Sequence, residues 1–346
     1  MARQRRKGNH ARGLGATGTR LVLLLVLASA VGAAAWLMAV PYGPETETFV
    51  EIAPGEPTAR IAGQLEAAGI IRSRYAFDLL RWVKRGRLEA GEYRFDHPAL
   101  MTEVYARIER GDVYTRTVVV PEGANIFEIG QRIEEAGLGT EDEFLQAQAE
   151  NAGMIHDLDP QAKSLEGYLF PDTYAFTRAE TMKQILTTMV GQFRKEAAEL
   201  DLNQNVHNVV TMASLVERET AVSGERPIVA SVFENRLQKK IPLGTDPSVI
   251  YGLELEGEWR GRIYASDLKR NTPYNTYLHA GLPPGPIANP GAKALRAAMH
   301  PAETTYLYFV AAGTNPQGRS LFASTLGEHA RNVAGYRKAV KKAGEP

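Results

Sequence analysis

There is no cysteine anywhere in the 346 residues. Its absence removes disulfides, thiolate nucleophiles and cysteine metal sites together, and it suits an oxidising compartment, where an unpaired thiol is a liability. Net charge is missing too: 40 Lys and Arg balance 40 Asp and Glu, so no bulk positive field draws the chain to nucleic acid. The histidines are too scattered for a metal hydrolase. His97, His156, His207, His279, His300 and His329 give no ligand pair at i, i+4 and no HExxH. Neither a metal nor another cofactor is expected.

Charge is also absent locally. Leu21 to Val40 runs LVLLLVLASAVGAAAWLMAV, twenty residues without an ionisable side chain. As a helix rising ~1.5 Å per residue, it spans the ~30 Å hydrocarbon core of a bilayer. Arg3, Arg5, Arg6, Lys7, Arg12 and Arg20 precede it with no acid, and Glu45, Glu47 and Glu51 follow. Trp36 and Tyr42 suit the interfacial belt, and the charge asymmetry places the N-terminus in the cytoplasm. A nucleic-acid tail is the competing use of the basic run, but its position against an apolar span favours membrane orientation. A cleaved signal peptide is the competing use of the span, since AAAW offers small residues to a peptidase. The run exceeds the ~7–15 apolar residues of a signal peptide, which favours a retained single-pass anchor in the inner membrane. Everything after residue 41 is then exported.

Beyond a short Pro/Gly linker at residues 41–44, an internal repeat appears. Ile52 to Ile70 aligns without gaps to Val120 to Leu138, pairing Gly55 with Gly123, Leu65 with Ile133 and Gly69 with Gly137. Each copy follows a β-rich run (Thr48–Ile52; Thr115–Val120) with a turn, then a helix closed by glycine. Two copies are too few for a solenoid. Between them lie an amphipathic helix from Tyr75, a strand at Glu92–Phe95 and a helix at Thr102–Glu109. The module at about 47–115 resembles a LysM-like glycan-binding module; a small α+β packing module that binds nothing has the same pattern.

From Val118 the pattern predicts a larger α+β domain. Helices are expected at Glu141–Glu150, Lys183–Glu199, Val206–Thr220, Glu225–Lys239 and Ala292–Met299. A Gly/Pro-rich loop region is expected from Leu243 to Gly291 and a buried strand at Tyr306–Val310. A last helix runs from Ser324 to Val340, with Thr325 and Glu328 spaced as a capping box. The fold class is α+β, with segments 1–20 (basic tail), 21–41 (span), 42–116 (linker and module) and 117–346 (larger domain).

The chemistry concentrates in 211–252. Glu217 and Glu219 project about 200° apart on one helix, so at most one is expected to face the interior. Glu219 sits over Val216, Leu215 and Met212. Glu217 sits over Ser214, Ala213 and Val210, a smaller and wetter neighbourhood. A carboxyl against large apolar side chains has its charged form disfavoured and its pKa raised, as a general acid requires. Spacing alone also fits two surface acids. Several segments interleave tyrosines with acids and amides, a combination suited to sugars: rings stack on the sugar faces while polar groups bond the hydroxyls. Each of these segments, taken singly, also fits a stiff, packed loop.

LEGYLFPDTY (165–174), MASLVERET (212–220), the stretch through VASVFENRL (229–237), TDPSVIYG (245–252), TPYNTY with GLPPGPI (272–287) and HPAETTYLYFV (300–310) together resemble the YceG-like family of endolytic murein transglycosylases. The resemblance covers the chain from its N-terminal span to about residue 335. Lys239 and Lys240 stand where a Gly-containing turn is expected. The resemblance implies that 117–346 is catalytic and that Glu219 is the catalytic acid/base. It implies cleavage of nascent peptidoglycan at the β-1,4 bond between N-acetylmuramic acid and N-acetylglucosamine, leaving 1,6-anhydro ends. It also implies work near penicillin-binding synthases, ending strand elongation. Substrate contact is expected from Glu166, Tyr168, Asn235, Asp246, Tyr251 and Asn275. A hydrolase using Glu166 or Asp246 to activate water remains open, as does a glycan-binding scaffold without activity.

Overall fold

A computed structural model describes residues 16–314 and 318–343. Arg3, Arg5, Arg6, Lys7 and Arg12, on which the expected orientation of the span rests, lie outside the described residues. The chain divides into two compact units, Met1–Thr115 and Arg116–Pro346.

The first unit opens with helix α1 (Ala16–Ala39). Its stretch Thr19–Ala39 has mean hydropathy 2.5 and is long and apolar enough to cross a membrane, a description that fits an anchor and a signal sequence alike. Then come β1 (Thr48–Ile52), α2 (Thr58–Ala67), α3 (Arg74–Lys84), β2 (Gly91–Phe95) and α4 (Met101–Arg110). β1 and β2 pair antiparallel, with Val50 opposite Tyr93. Their inward residues join Leu65, Phe77, Leu80 and Ile108 in one core. The expected linker is not free chain: Tyr42 and Ala99 exchange backbone hydrogen bonds of 3.0 and 3.1 Å, which satisfies main-chain groups that would otherwise need water.

The second unit runs β3 (Arg116–Val119), α5 (Ile126–Glu135), α6 (Glu141–Glu150), β4 (Thr173–Phe176), α7 (Met182–Glu199), α8 (Val206–Glu219), α9 (Arg226–Gln238), α10 (Asp246–Leu255), α11 (Ala292–Met299), β5 (Tyr308–Ala311), β6 (Ser320–Ala323) and α12 (Leu326–Ala343). β3 pairs antiparallel with β4, and β5 with β6. The architecture is mixed α and β, as expected. The two repeat copies form the same strand–turn–helix. Each helix ends in a Schellman turn: Ile70 N–H donates to Leu65 at 2.8 Å and Leu138 N–H to Ile133 at 3.1 Å. The left-handed residues are Gly69 (φ 71°) and Gly137 (φ 66°).

Two expectations need correction. The region from Leu243 to Gly291 is not all loop. It contains α10, which Thr245 caps by accepting from Ser248 N–H at 3.4 Å and Pro247 initiates in its first turn. The strand predicted at Tyr306–Val310 begins only at Tyr308, and its residues are half-buried, with Ala311 exposed. It belongs to a two-stranded hairpin rather than a central sheet. Near the C-terminus the capping box does form: Glu328 N–H donates to Thr325 Oγ1 and Thr325 N–H to the Glu328 carboxylate, both at 3.2 Å. Lys240 takes φ 55°, the left-handed turn for which glycine was expected.

α8 organises this unit. Seven consecutive residues, Val210–Val216, are buried, as in a helix surrounded on all sides. Val206, Val210 and Ala213 join the core built by α5, α7, β3 and β4. Met212, Leu215 and Val216 join Val229, Phe233, Leu243 and Tyr251. At its start α8 packs beside the LEGYLFPDTY motif, whose Gly167 takes φ 88°. A Cβ there would come within 2.6 Å of Pro286 and 2.8 Å of Val210. Gly167→Ala is therefore expected to cost about 2–4 kcal/mol through backbone strain and overpacking. Urea unfolding checks this; an unchanged midpoint would contradict it.

Candidate active site

α8 stops at Glu219 because Thr220 turns extended (φ −142°, ψ 127°). The helix end thereby delivers Glu217, Arg218 and Glu219 from a buried rod to a surface groove. Three adjoining clefts make up the groove. One, of about 330 Å³, is bounded by Phe233, Arg236, Asp246, Tyr277, Phe309 and Glu219. A second, of about 380 Å³, runs along Thr220–Val222 and the β5–β6 hairpin. The third, of about 540 Å³, lies between Glu122, Glu217, Arg226 and Glu219. Among the described residues, Glu219 alone borders all three.

The Glu219 carboxyl has no hydrogen bond or ion pair to a described residue. Burial pushes its pKa up to about 7; the nearby Asp246 carboxylate adds to the rise and the Arg236 guanidinium opposes it. Its place as the last helical residue acts in the same direction, since the helix C-terminus carries partial negative charge. Asp246 is held by Tyr277, whose hydroxyl donates at 2.8 Å. Arg236 donates to the carbonyls of Leu307 at 2.6 Å and Leu243 at 2.7 Å. This ties α9 to the entry of β5 and to the segment leading into α10, and it aims a cation at the groove.

Glu217 departs from its expected wet setting. Its side chain is only 4% exposed. It accepts from Gly291 N–H at 3.1 Å and pairs with Arg226, itself 5% exposed. Both acids at the end of α8 are therefore largely enclosed, because Arg226 arrives from the next helix to neutralise one of them. Burial still raises the Glu217 pKa, with Arg226 opposing.

Of the six residues expected to contact substrate, only Asp246 borders the groove. Glu166 is in the core: it accepts from Ile126 N–H at 3.0 Å and from Asn289 Nδ2 at 2.9 Å, and burial lifts its pKa to about 8. Tyr251 is buried beside it and bonds to it. Tyr168 is fully buried, with its hydroxyl on Asp159 and its ring edge-on to Phe193. Asn275 is buried and donates to Leu268 and Arg270 carbonyls at 3.1 and 2.7 Å. Asn235 donates to Thr304 and Tyr306 carbonyls, both at 2.9 Å. These five brace the loops that carry the groove. Asn289 does similar work, since its amide also reaches Leu169 N–H and the Ala124 carbonyl.

Sequence reasoning missed Arg236, Tyr277 and the Arg226–Glu217 pair. Arg236 adjoins Asn235 in FENRL, and Tyr277 ends TPYNTY, so both motifs pointed to the right place but not the right side chain. A raised carboxyl pKa would not have separated the candidates either. Glu166 and Glu254 are also raised, Glu254 to about 7, but each has a hydrogen-bond donor, and among the described residues Glu219 alone combines a raised pKa with an open groove and no partner.

Comparisons with known proteins give the family. Residues 50–335 match the model of the YceG-like family. The chain belongs to that family. It is 33% identical over 307 residues to a Bacillus subtilis (strain 168) protein named endolytic murein transglycosylase, covering 82% of this chain and 83% of the relative. It is 28% identical over 318 residues to a Streptococcus pneumoniae serotype 2 protein of the same name, of whose length it spans 57%. The crystal structure of a yceG-like protein from Listeria monocytogenes superposes with TM-score 0.53 at 31% identity, covering 83% of this chain and 99% of that one.

Proposed function

We propose that this YceG-like protein is an endolytic lytic transglycosylase. It cuts peptidoglycan glycan strands between N-acetylmuramic acid and N-acetylglucosamine, with Glu219 as acid and then base. The observation that carries the reading is the Glu219 carboxyl, without a hydrogen bond among the described residues and raised to about 7 at the meeting point of three clefts. Near neutral pH such a group is populated in both protonation states. Protonated, it gives its proton to the leaving glycosidic oxygen. Ionised, it takes the proton from the muramic acid 6-hydroxyl, which attacks the anomeric carbon and closes the 1,6-anhydro ring. No water is consumed, so the substrate replaces the second carboxylate that a hydrolase sets about 5–5.5 or 6.5–9.5 Å away. Developing positive charge at the anomeric carbon is stabilised by Asp246, which Tyr277 orients.

Asp246 also supports a second reading, hydrolysis with Asp246 activating water. Mass spectrometry of products from purified strands separates the two, because anhydro and reducing ends differ by one water. Internal fragments with anhydro ends support the proposal, and reducing ends sink it. Binding without any cleavage indicates a scaffold.

Asp246→Asn gives a further test. Removing the neighbouring negative charge lowers the Glu219 pKa, so the limb of the pH–rate profile that requires protonated Glu219 moves to lower pH. An unmoved limb would show that the two carboxyls do not interact.

We read α1 as an uncleaved anchor with the N-terminus cytoplasmic. The unit containing β1, α2, α3 and β2 is read as a LysM-like glycan-binding module. An anchored enzyme reaches strands close to the membrane, where synthases of the penicillin-binding class extend them, and its cuts end their elongation. Co-purification with such synthases from intact membranes checks this; its absence would count against the partnership.

A further inference from the structure

α3 is apolar on two faces. Ala76, Phe77 and Leu80 turn to the core, whereas Tyr75, Leu79, Trp82 and Val83 are exposed by 70, 46, 69 and 63%. At 3.6 residues per turn these four fall within an arc of about 100°. Single exposed apolar residues need no explanation, but four on one arc, two of them large aromatics, form a patch of the kind that meets another apolar surface.

Two observations identify that surface. The first is charge. Six of the ten Lys and Arg residues between 42 and 115 lie within 72–87, against one acid, Asp78. Glu66 and Glu89 pair with Arg74 and Arg87 at 3.9 and 3.5 Å. Among the described residues no ion pair holds Arg81, Lys84 or Arg85. The second is position. The Arg72 guanidinium, just ahead of α3, sits 4.4 Å over the Trp36 ring and 4.8 Å over the Tyr42 ring. Leu37 and Met38 at the end of α1 pack on the same core as Phe77. The foot of α3 is thus fastened to the exit of the apolar span, at the aromatic residues that mark a bilayer interface.

We propose that α3 lies on the outer surface of the bilayer that α1 crosses. Tyr75, Leu79, Trp82 and Val83 enter the boundary between headgroups and acyl chains, and Arg81, Lys84 and Arg85 meet the phosphates of anionic phospholipids. The proposal rests on reading α1 as an anchor. It makes the first unit a membrane-seated platform rather than a bead on a tether.

The natural chain has no cysteine, so one introduced thiol reports from one place. The full chain carrying Val83→Cys is labelled with an environment-sensitive fluorophore. It is then reconstituted in phosphatidylglycerol/phosphatidylcholine vesicles containing nitroxide-labelled lipid. Its reference is the same label at Glu51→Cys, an exposed position on β1. The expected result is a blue-shifted emission and roughly twofold or greater quenching by lipid at position 83 relative to position 51. Quenching falls when Arg81, Lys84 and Arg85 are changed to Glu, or when phosphatidylglycerol is omitted. Equal water exposure or equal lipid quenching at the two positions overturns the proposal. Disulfide-linked dimers through position 83 without lipid quenching also overturn it, in favour of a second copy of the chain. Alkaline carbonate extraction of the same vesicles reports on α1. A stripped chain sinks the anchoring reading and α3 with it; a retained chain with a water-exposed position 83 sinks the α3 proposal alone.

Discussion

Glu219→Gln is expected to keep binding glycan strands and to leave them uncut. The amide preserves size and shape at the junction of the three clefts but neither gives nor takes the proton. General acid–base catalysis by one group contributes about 10²–10⁴-fold, and here one carboxyl serves both steps, so the loss should reach the upper end of that range. Stability should move the other way. The folded pKa of about 7 lies above the ordinary 4.5, so the folded state holds the proton more tightly than the unfolded one. Stability from that proton is fully present below about pH 4.5 and is lost as pH rises through 7. Glutamine carries no such penalty. The variant should therefore match wild type near pH 4 and exceed it by roughly 3 kcal/mol at pH 8, at about 1.36 kcal/mol per pK unit. Urea unfolding at both pH values reads this directly. A constant offset would mean that Glu219 is not buried as an acid, and full activity in the variant would remove it from the mechanism.

Arg226→Met is expected to be the most damaging change outside Glu219. The guanidinium and the Glu217 carboxylate are 5% and 4% exposed, and Glu122 adds a second acid at 3.2 Å from the same guanidinium nitrogen. Removing the cation leaves Glu217 buried beside Gly291 N–H without its counter-ion. Breaking a buried pair from one side costs about 3–5 kcal/mol, whereas replacing both partners by neutral groups of similar volume is often near neutral. Glu217→Gln combined with Arg226→Met should thus recover much of the loss, and a double-mutant cycle measures the coupling. The damage should shrink at low pH, where Glu217 takes a proton. Activity should fall as well, because this pair fixes the end of α8 two residues from Glu219. Equal losses in the single and double variants would mean that packing, not charge, is at stake.

Much of the local structure was legible because it is local. Helices α6 and α11 run over the residues that their apolar spacing predicts. Both repeat copies close on glycines because only a left-handed residue completes a Schellman turn there. Spacing only leaned towards Glu219, through three large apolar side chains within two turns beneath it, and the family motif MASLVERET made the choice. The missed helix α10 shows the limit: Pro and Gly in TDPSVIYG suggested loop, yet proline in the first turn is a helix-starting position.

The sequence by itself determined the apolar span, the repeated strand–turn–helix units and the central apolar helix, while Glu219 was singled out by resemblance to a family. The first three rest on periodicity or on neighbours a few residues apart. Tertiary structure alone decided which other polar residues reach the groove. Glu166 and Asp246 look equally suited as acids in aromatic motifs. However, Glu166 is drawn inward by Ile126 N–H, forty residues away, and by Asn289, 123 residues away. Arg236 reaches the groove through carbonyls near residue 307, 71 positions on. Buried polar groups go wherever distant partners satisfy them, and no spacing along the chain encodes that meeting.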